Sequence, residues 1–168
     1  MKRLFEIPFN RDVALNYAHR WAYGRNPVYY DFEKLGGDCT NFASQCIFAG
    51  SGLMNYTPVY GWYYRNSHDR SPSWTGVNFL YDFLINNKGL GPYAALVDAK
   101  ETEPGDIVQL SFKGGGFFQH SPVIIRSGAS QDEILVATHS DDVDYYPLSG
   151  YTRLQTRFIH ILGVRVNV

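Results

Sequence analysis

Apolar residues recur at helical spacing in three segments of the first half of the chain. The first segment follows Asn10, a residue type that caps helix N-termini, and stops at Gly24. The second begins at Asp38, another capping residue type, and closes at Gly52. The third ends at Gly89. These patterns predict three amphipathic helices, each with one face in the core.

After Gly91 the hydrophobic period changes from that of a helix to the alternation of a strand. Four short runs rich in β-branched residues follow, "GDIVQLSF", "SPVIIRS", "DEILVATHS" and "TRFIHILGVRV". Helices followed by strands predict an α+β fold, with N-terminal helices packed on a C-terminal antiparallel sheet. No internal repeat or linker is visible, so we expect residues 1–168 to form a single domain.

Composition and charge narrow the class of protein. The chain is 45% apolar and 18% charged, which is typical of a globular domain. A net charge of −1 provides no field that would attract nucleic acid, and no apolar stretch approaches the roughly 20 residues of a membrane span. The N-terminus lacks the apolar core of a secretion signal. We expect no nucleic acid, no membrane span and no obligate protein partner.

The chain has two cysteines, Cys39 and Cys46, both on the second predicted helix. Two helical turns separate them by about 10.5 Å, which is too far for a disulfide between them. Neither cysteine belongs to a cluster with metal-ligand spacing, so we expect no metal and no cofactor. Cys46 is typical of a small buried apolar residue.

Cys39 follows Gly36, Gly37 and Asp38 at the start of that helix. The positive end of the helix dipole and the unpaired N–H groups of the first turn favour a thiolate, which is the nucleophilic form of cysteine. The backbone N–H of Cys39 would also lie where an oxyanion develops. The alternative is that Cys39 is a buried apolar residue.

A nucleophilic cysteine needs a base and an orienting group. A hairpin turn centred between Ala129 and Ser130 would place His120 directly opposite His139, with Cβ atoms about 5 Å apart on one face. His120 is therefore the candidate base and His139 its candidate orienting group. The loop after His139 provides two alternative third residues, Asp141 and Asp142.

An aromatic stretch, "YGWYYRNSHDRSPSW", lies in a segment that we predict to be irregular. Trp62 and Trp74 in this stretch, together with Tyr30, are candidates for lining a sugar or peptide cleft. The alternative is that these rings cover the core. A cleft without turnover would make the protein a non-catalytic peptide- or glycan-binding module.

Two local motifs resemble the papain-like NlpC/P60 and CHAP superfamily of bacterial cysteine hydrolases: "DCTNF" and "EPGDIVQLSF". The longer segments "WAYGRNPVYYDFEKLGGDCTNFASQCIFAGSGLMNY", "SPSWTGVN" and "ILVATHSDD" resemble the putative amidase domain family of bacteria. The second resemblance covers nearly the whole chain.

The resemblance implies a papain-like fold and a cysteine amidase or peptidase, with Cys39 as nucleophile, His120 as base and His139 as third polar group. It also implies a peptide or peptidoglycan fragment as substrate, and Asp38 as a group that binds a substrate amino terminus. Action on peptidoglycan would place the protein in the cell envelope or outside the cell. Transfer of the acyl group to an amine, instead of water, is the remaining enzymatic alternative, because the covalent intermediate is the same.

Overall fold

The computed structural model of the chain describes residues 3–168. Within these residues the chain forms four α-helices: α1 (Arg11–Trp21), α2 (Cys39–Ser51), α3 (Pro72–Thr75) and α4 (Val77–Asn86). The same residues form nine β-strands: β1 (Leu4–Ile7), β2 (Tyr64–Asn66), β3 (Asp69–Arg70), β4 (Gly91–Val97), β5 (Ile107–Ser111), β6 (Val123–Arg126), β7 (Leu135–Thr138), β8 (Val143–Pro147) and β9 (Gln155–Asn167).

The three predicted helices are confirmed as α1, α2 and α4. Asn10 caps α1, because its side-chain oxygen accepts a hydrogen bond of 3.2 Å from the Val13 N–H. Gly52 ends α2 in the left-handed conformation, with a φ of 74° that suits glycine. Asn10 and Gly52 thus set these two helix ends as the sequence indicates, whereas α1 ends at Trp21 and α4 at Asn86, before the predicted stops Gly24 and Gly89.

Seven of these nine strands form one antiparallel sheet in the order β1-β9-β5-β6-β7-β8, with β4 also paired to β9, while β2 and β3 pair with each other. The long strand β9 is the hub of this sheet, since β1, β4 and β5 all pair with it. Helices followed by a mostly antiparallel sheet confirm the α+β class.

Several strands were absent from the prediction. The segment expected to be irregular contains the short hairpin of β2 and β3, followed by α3. The unpredicted strand β4 begins with Gly91 and Pro92 and has two alanines at its centre, so its sequence lacks the β-branched alternation of its neighbours. The strand β4 forms because its backbone hydrogen-bonds to β9, and its local sequence alone would not predict a strand.

The sheet is buried on both faces. Ile107 and Val123 belong to the cluster shared with the helices, whereas the next residues along their strands, Val108 and Ile124, belong to a second cluster. Leu148 completes that second cluster from a short 3₁₀ turn, Leu148–Gly150. The 3₁₀ turn and the residue after it, Tyr151, therefore lie against the sheet face that the helices do not cover.

The largest side chains of the helical layer surround the start of α2. Trp74 is fully buried and donates a hydrogen bond of 2.9 Å from Nε1 to Asn41 Oδ1. Asn41 in turn donates to the Tyr30 carbonyl at 3.0 Å and to Asp38 Oδ1 at 2.9 Å.

None of the helices among residues 3–168 is long and apolar enough to cross a membrane.

Replacement of Trp74 by Phe should lower the free energy of unfolding by about 2–3 kcal/mol, because it leaves a void and removes the donor to buried Asn41. Urea denaturation followed by circular dichroism measures the change. Tyr60→Phe, at an exposed site, is the control and should change stability by less than about 0.5 kcal/mol. Equal stability of the Trp74 variant and the wild type would contradict this account of the core.

Candidate active site

Cys39 begins α2 at the end of a glycine turn. Gly36 and Gly37 have φ angles of 97° and 102°, a conformation that side chains other than glycine rarely adopt. A Cβ atom on Gly37 would lie 3.1 Å from Ser140 Oγ, and the Asp38 N–H donates to that hydroxyl at 3.2 Å. The turn thus holds the start of α2 close to the loop that follows β7.

His120 lies just before β6, where its backbone pairs with Leu110 of β5. The Leu110 N–H donates to the His120 carbonyl at 3.1 Å, which fixes this end of the connection to the sheet. The imidazole is only 6% exposed and is flanked by the rings of Phe112 and Tyr151, whose centroids lie 6.3 and 5.4 Å away.

Cys39 and His120 line one cavity of about 670 Å³. Its other lining residues come from the loops around them: Glu33, Gly36, Gly37, Phe112, Gln119, Ser140, Asp141, Tyr146, Gly150, Tyr151 and Thr152. The structure therefore brings together the two residues that the sequence singled out as nucleophile and base. Among residues 3–168, no three His, Cys, Asp or Glu side chains lie close enough together to hold a metal ion.

Burial controls the protonation of both residues. It raises the pKa of the Cys39 thiol, although hydrogen bonds from Thr40 and from the Ser121 backbone act in the opposite direction. It also lowers the pKa of His120 to about 4, against the opposing charge of Asp141. At neutral pH burial therefore favours a neutral thiol and a neutral imidazole in this cavity. Burial thus acts against the thiolate that the position of Cys39 at the helix start favours.

A family model described as "Putative amidase domain" matches residues 8–162. The chain belongs to this amidase domain family. The description suggests amide hydrolysis at a general level. The amidase domain is also 29% identical over 161 residues to the uncharacterized protein YhbB of Bacillus subtilis (strain 168), covering 92% of this chain and 50% of YhbB. It thus spans about half the length of this curated relative. No solved structure matches the amidase domain significantly.

Asp38 is fully buried in the amidase domain, and both of its carboxylate oxygens are occupied. Oδ1 accepts hydrogen bonds from the Phe32 N–H at 2.8 Å and from Asn41 at 2.9 Å, while Oδ2 lies 2.5 Å from His139 Nδ1. The side chain makes no capping bond to α2. The structure therefore contradicts both roles considered for Asp38, as a side-chain cap and as a ligand for a substrate amino terminus.

The predicted register of the hairpin that carries the two histidines is wrong by one residue. The structure pairs Val123 with Ala137, and a β-bulge and a 3₁₀ turn interrupt the connection between β6 and β7. Continuing this register places Ser121, and not His120, opposite His139. Because successive side chains of a strand point to opposite faces, the shift separates the two histidine side chains.

His139 is buried between α1 and α2 and is not among the residues that line the cavity. Its Nε2 donates to the Trp21 carbonyl at 2.8 Å, and its ring stacks on Phe42 with centroids 4.2 Å apart. With Nδ1 on Asp38, both ring nitrogens are occupied. His139 therefore connects β7 to the two helices and does not orient His120.

The two aspartates after His139 have different environments. Asp141 lines the cavity with Cys39 and His120, and its negative charge raises the pKa of His120. Asp142 pairs with the guanidinium of Arg25 at 2.9 Å. Of the three candidate orienting residues, Asp141 is the one that the structure places in the cavity.

The predicted cleft residues do not line this cavity. Trp62 and Trp74 are fully buried and belong to the core, which was the alternative interpretation of the aromatic stretch. Tyr30 is 46% exposed and packs on Phe32 outside the cavity. Trp62, Trp74 and Tyr30 therefore do not form a common cleft of the kind on which a binding module would depend. Tyr151 has no signal in the sequence that marks it as a site residue, since it follows a 3₁₀ turn and meets His120 only through the fold.

Replacement of His139 by Ala should lower the free energy of unfolding by about 3–5 kcal/mol, because it leaves a void and removes the closest partner of the buried Asp38 Oδ2. Guanidinium denaturation measures the loss. His68→Ala, at an exposed position, is the matched histidine control and should stay within about 0.5 kcal/mol of the wild type. A His139 variant of unchanged stability would show that the buried pair does not support the fold.

Proposed function

We propose that this amidase domain hydrolyses amide bonds with Cys39 as nucleophile and His120 as general base, in a papain-like arrangement. The observation that carries the proposal is the shared cavity, in which a cysteine at a helix start and a histidine at a strand entry are both accessible from one side. Membership of the amidase domain family supports the reaction class. The resemblance to cell-wall hydrolases suggests a peptide or peptidoglycan fragment as substrate.

The neutral starting state defines the first step. His120 takes the proton from Cys39 Sγ as the sulfur attacks the carbonyl carbon, so that the C–S bond and the oxyanion form together. The N–H of Cys39 lies in the first helical turn, where backbone donors have no intrahelical acceptor, and can bind the oxyanion. Asp141 stabilises the imidazolium that results, because its charge raises the pKa of His120.

The remaining steps use the same two groups. His120 gives its proton to the leaving nitrogen as the C–N bond breaks, which leaves a thioester on Cys39. His120 then takes a proton from water as the water oxygen attacks the thioester carbonyl. The C–S bond breaks and His120 returns the proton to Sγ, which releases the acid and restores the Cys39 thiol. Attack by an amine in place of water gives the acyltransferase alternative.

The direct test is incubation with purified muropeptides, followed by mass analysis of the products. Cys39→Ala and His120→Ala should each abolish the product, since one removes the nucleophile and the other the base. Cys46→Ala removes the other cysteine, which is buried outside the cavity, and should retain activity. Two fragments whose masses sum to that of the substrate plus one water indicate hydrolysis. A product in which the acyl fragment is joined to another amine indicates acyl transfer. Turnover by the Cys39→Ala variant would refute the proposal.

The pH profile provides a second test. Burial lowers the pKa of His120 to about 4, so the neutral, base-competent imidazole should persist well below the usual histidine range. We expect kcat/KM to stay level from about pH 8 to 5 and to fall by half near pH 4. Asp141→Asn removes the charge that raises this pKa and should move the acid limb lower. A limb near pH 6.5 in the wild type would show that burial does not control the base.

A further inference from the structure

Tyr151 is the aromatic residue nearest to the proposed base that no step of the mechanism uses. Its ring meets the His120 imidazole edge to face, with centroids 5.4 Å apart and an interplanar angle of 60°. It also lines the cavity that contains Cys39. The 3₁₀ turn Leu148–Gly150 holds Tyr151 against the sheet through the buried side chain of Leu148.

The hydroxyl of Tyr151 is buried and, within residues 3–168, has no hydrogen-bond partner. A buried polar group without a partner is costly, and native structures contain few of them. Tyr17 shows the usual arrangement, because its hydroxyl donates to Gln45 at 2.6 Å and accepts from Asn26 at 3.0 Å. The hydroxyl of Tyr151 differs from this arrangement, since no protein group bonds to it among residues 3–168, and its oxygen is free to accept a hydrogen bond.

Proton transfer from Cys39 to His120 would create a hydrogen-bond donor next to the Tyr151 hydroxyl. The neutral His120 ring presents one N–H, and it gains a second when it takes the Cys39 proton. Burial disfavours the resulting imidazolium, so a neighbouring acceptor would promote the transfer. Burial also raises the pKa of Tyr151, so that the phenol stays neutral and offers its oxygen lone pairs.

We propose that Tyr151 is a positioning residue whose hydroxyl oxygen accepts a hydrogen bond from His120 once the imidazole has taken the Cys39 proton. This inference rests on the proposed function. In this step the S–H bond of Cys39 breaks, a new N–H bond forms on His120, and Tyr151 keeps its own proton. The edge-to-face contact of the two rings places the phenol next to the imidazole for this hydrogen bond. Tyr151 thus acts through His120, and its own buried hydroxyl takes no part in bond making at the carbonyl.

Replacement of Tyr151 by Phe separates this role from a structural one. The change keeps the ring and removes a hydroxyl that has no partner in the empty site, so the melting temperature should be unchanged or higher. It also removes the acceptor for the imidazolium. Iodoacetamide at pH 7 should therefore alkylate Cys39 at least about tenfold more slowly than in the wild type, since a hydrogen bond to a charged group typically shifts an equilibrium by that much.

Mass analysis of the peptide that contains Cys39 gives the alkylation rate without a substrate and separates Cys39 from Cys46. Tyr17→Phe is the matched control: it removes a bonded hydroxyl, so it should lower the melting temperature and leave the alkylation rate unchanged. His120→Ala gives the rate for a thiol without its base.

The outcomes are distinct for the two proposals. Alkylation of Tyr151→Phe at the wild-type rate would overturn the role of Tyr151, and so would slower alkylation accompanied by a lower melting temperature. Equal rates in the wild type and His120→Ala would instead refute the proposed function, because the thiol would then react without its base.

Discussion

The buried contact between Asp38 and His139 fixes the relative position of the helices and the sheet at the site. Asp38 immediately precedes Cys39, and His139 lies at the end of β7, where its other nitrogen binds the carbonyl that ends α1. The same carboxylate accepts hydrogen bonds from Phe32 and Asn41. A charged group removed from water requires this degree of compensation, and the geometry that provides it also determines where Cys39 lies.

This arrangement explains which parts of the site could be predicted from the sequence. Cys39 depends on local signals, namely two glycines in the left-handed conformation and the apolar period of α2. His139 depends on a hairpin register, and the β-bulge in that hairpin leaves no trace in the spacing of its apolar residues. Trp62 and Trp74 depend on partners in α2, far away in the sequence, whose polar side chains bind the two indole N–H groups. Local order was therefore predictable, and long-range pairing was not.

The same distinction applies to the fold. The strands with β-branched alternation were predicted, whereas β4 forms because β9 offers it a partner along its whole length. The second buried face of the sheet was also absent from the prediction, although β5 carries apolar residues on both sides. That face needs a cover, and the turn around Leu148 supplies it. The cover then brings Tyr151 to His120, so packing of the core and the surroundings of the base are linked.

The position of β9 in the chain has a consequence for the order of folding. The strand β9 (residues 155–167) pairs with three strands that precede it in the chain: β1, β4 and β5. The first of these, β1, is separated from β9 by almost the whole described chain. A ribosome that synthesises the chain releases the helices and Cys39 long before it releases β9. Leu4 must remain unpaired until Asn167 emerges. Such non-local pairing slows folding and exposes unpaired strand edges in the interval, so the nascent chain is most vulnerable to aggregation just before β9 is complete.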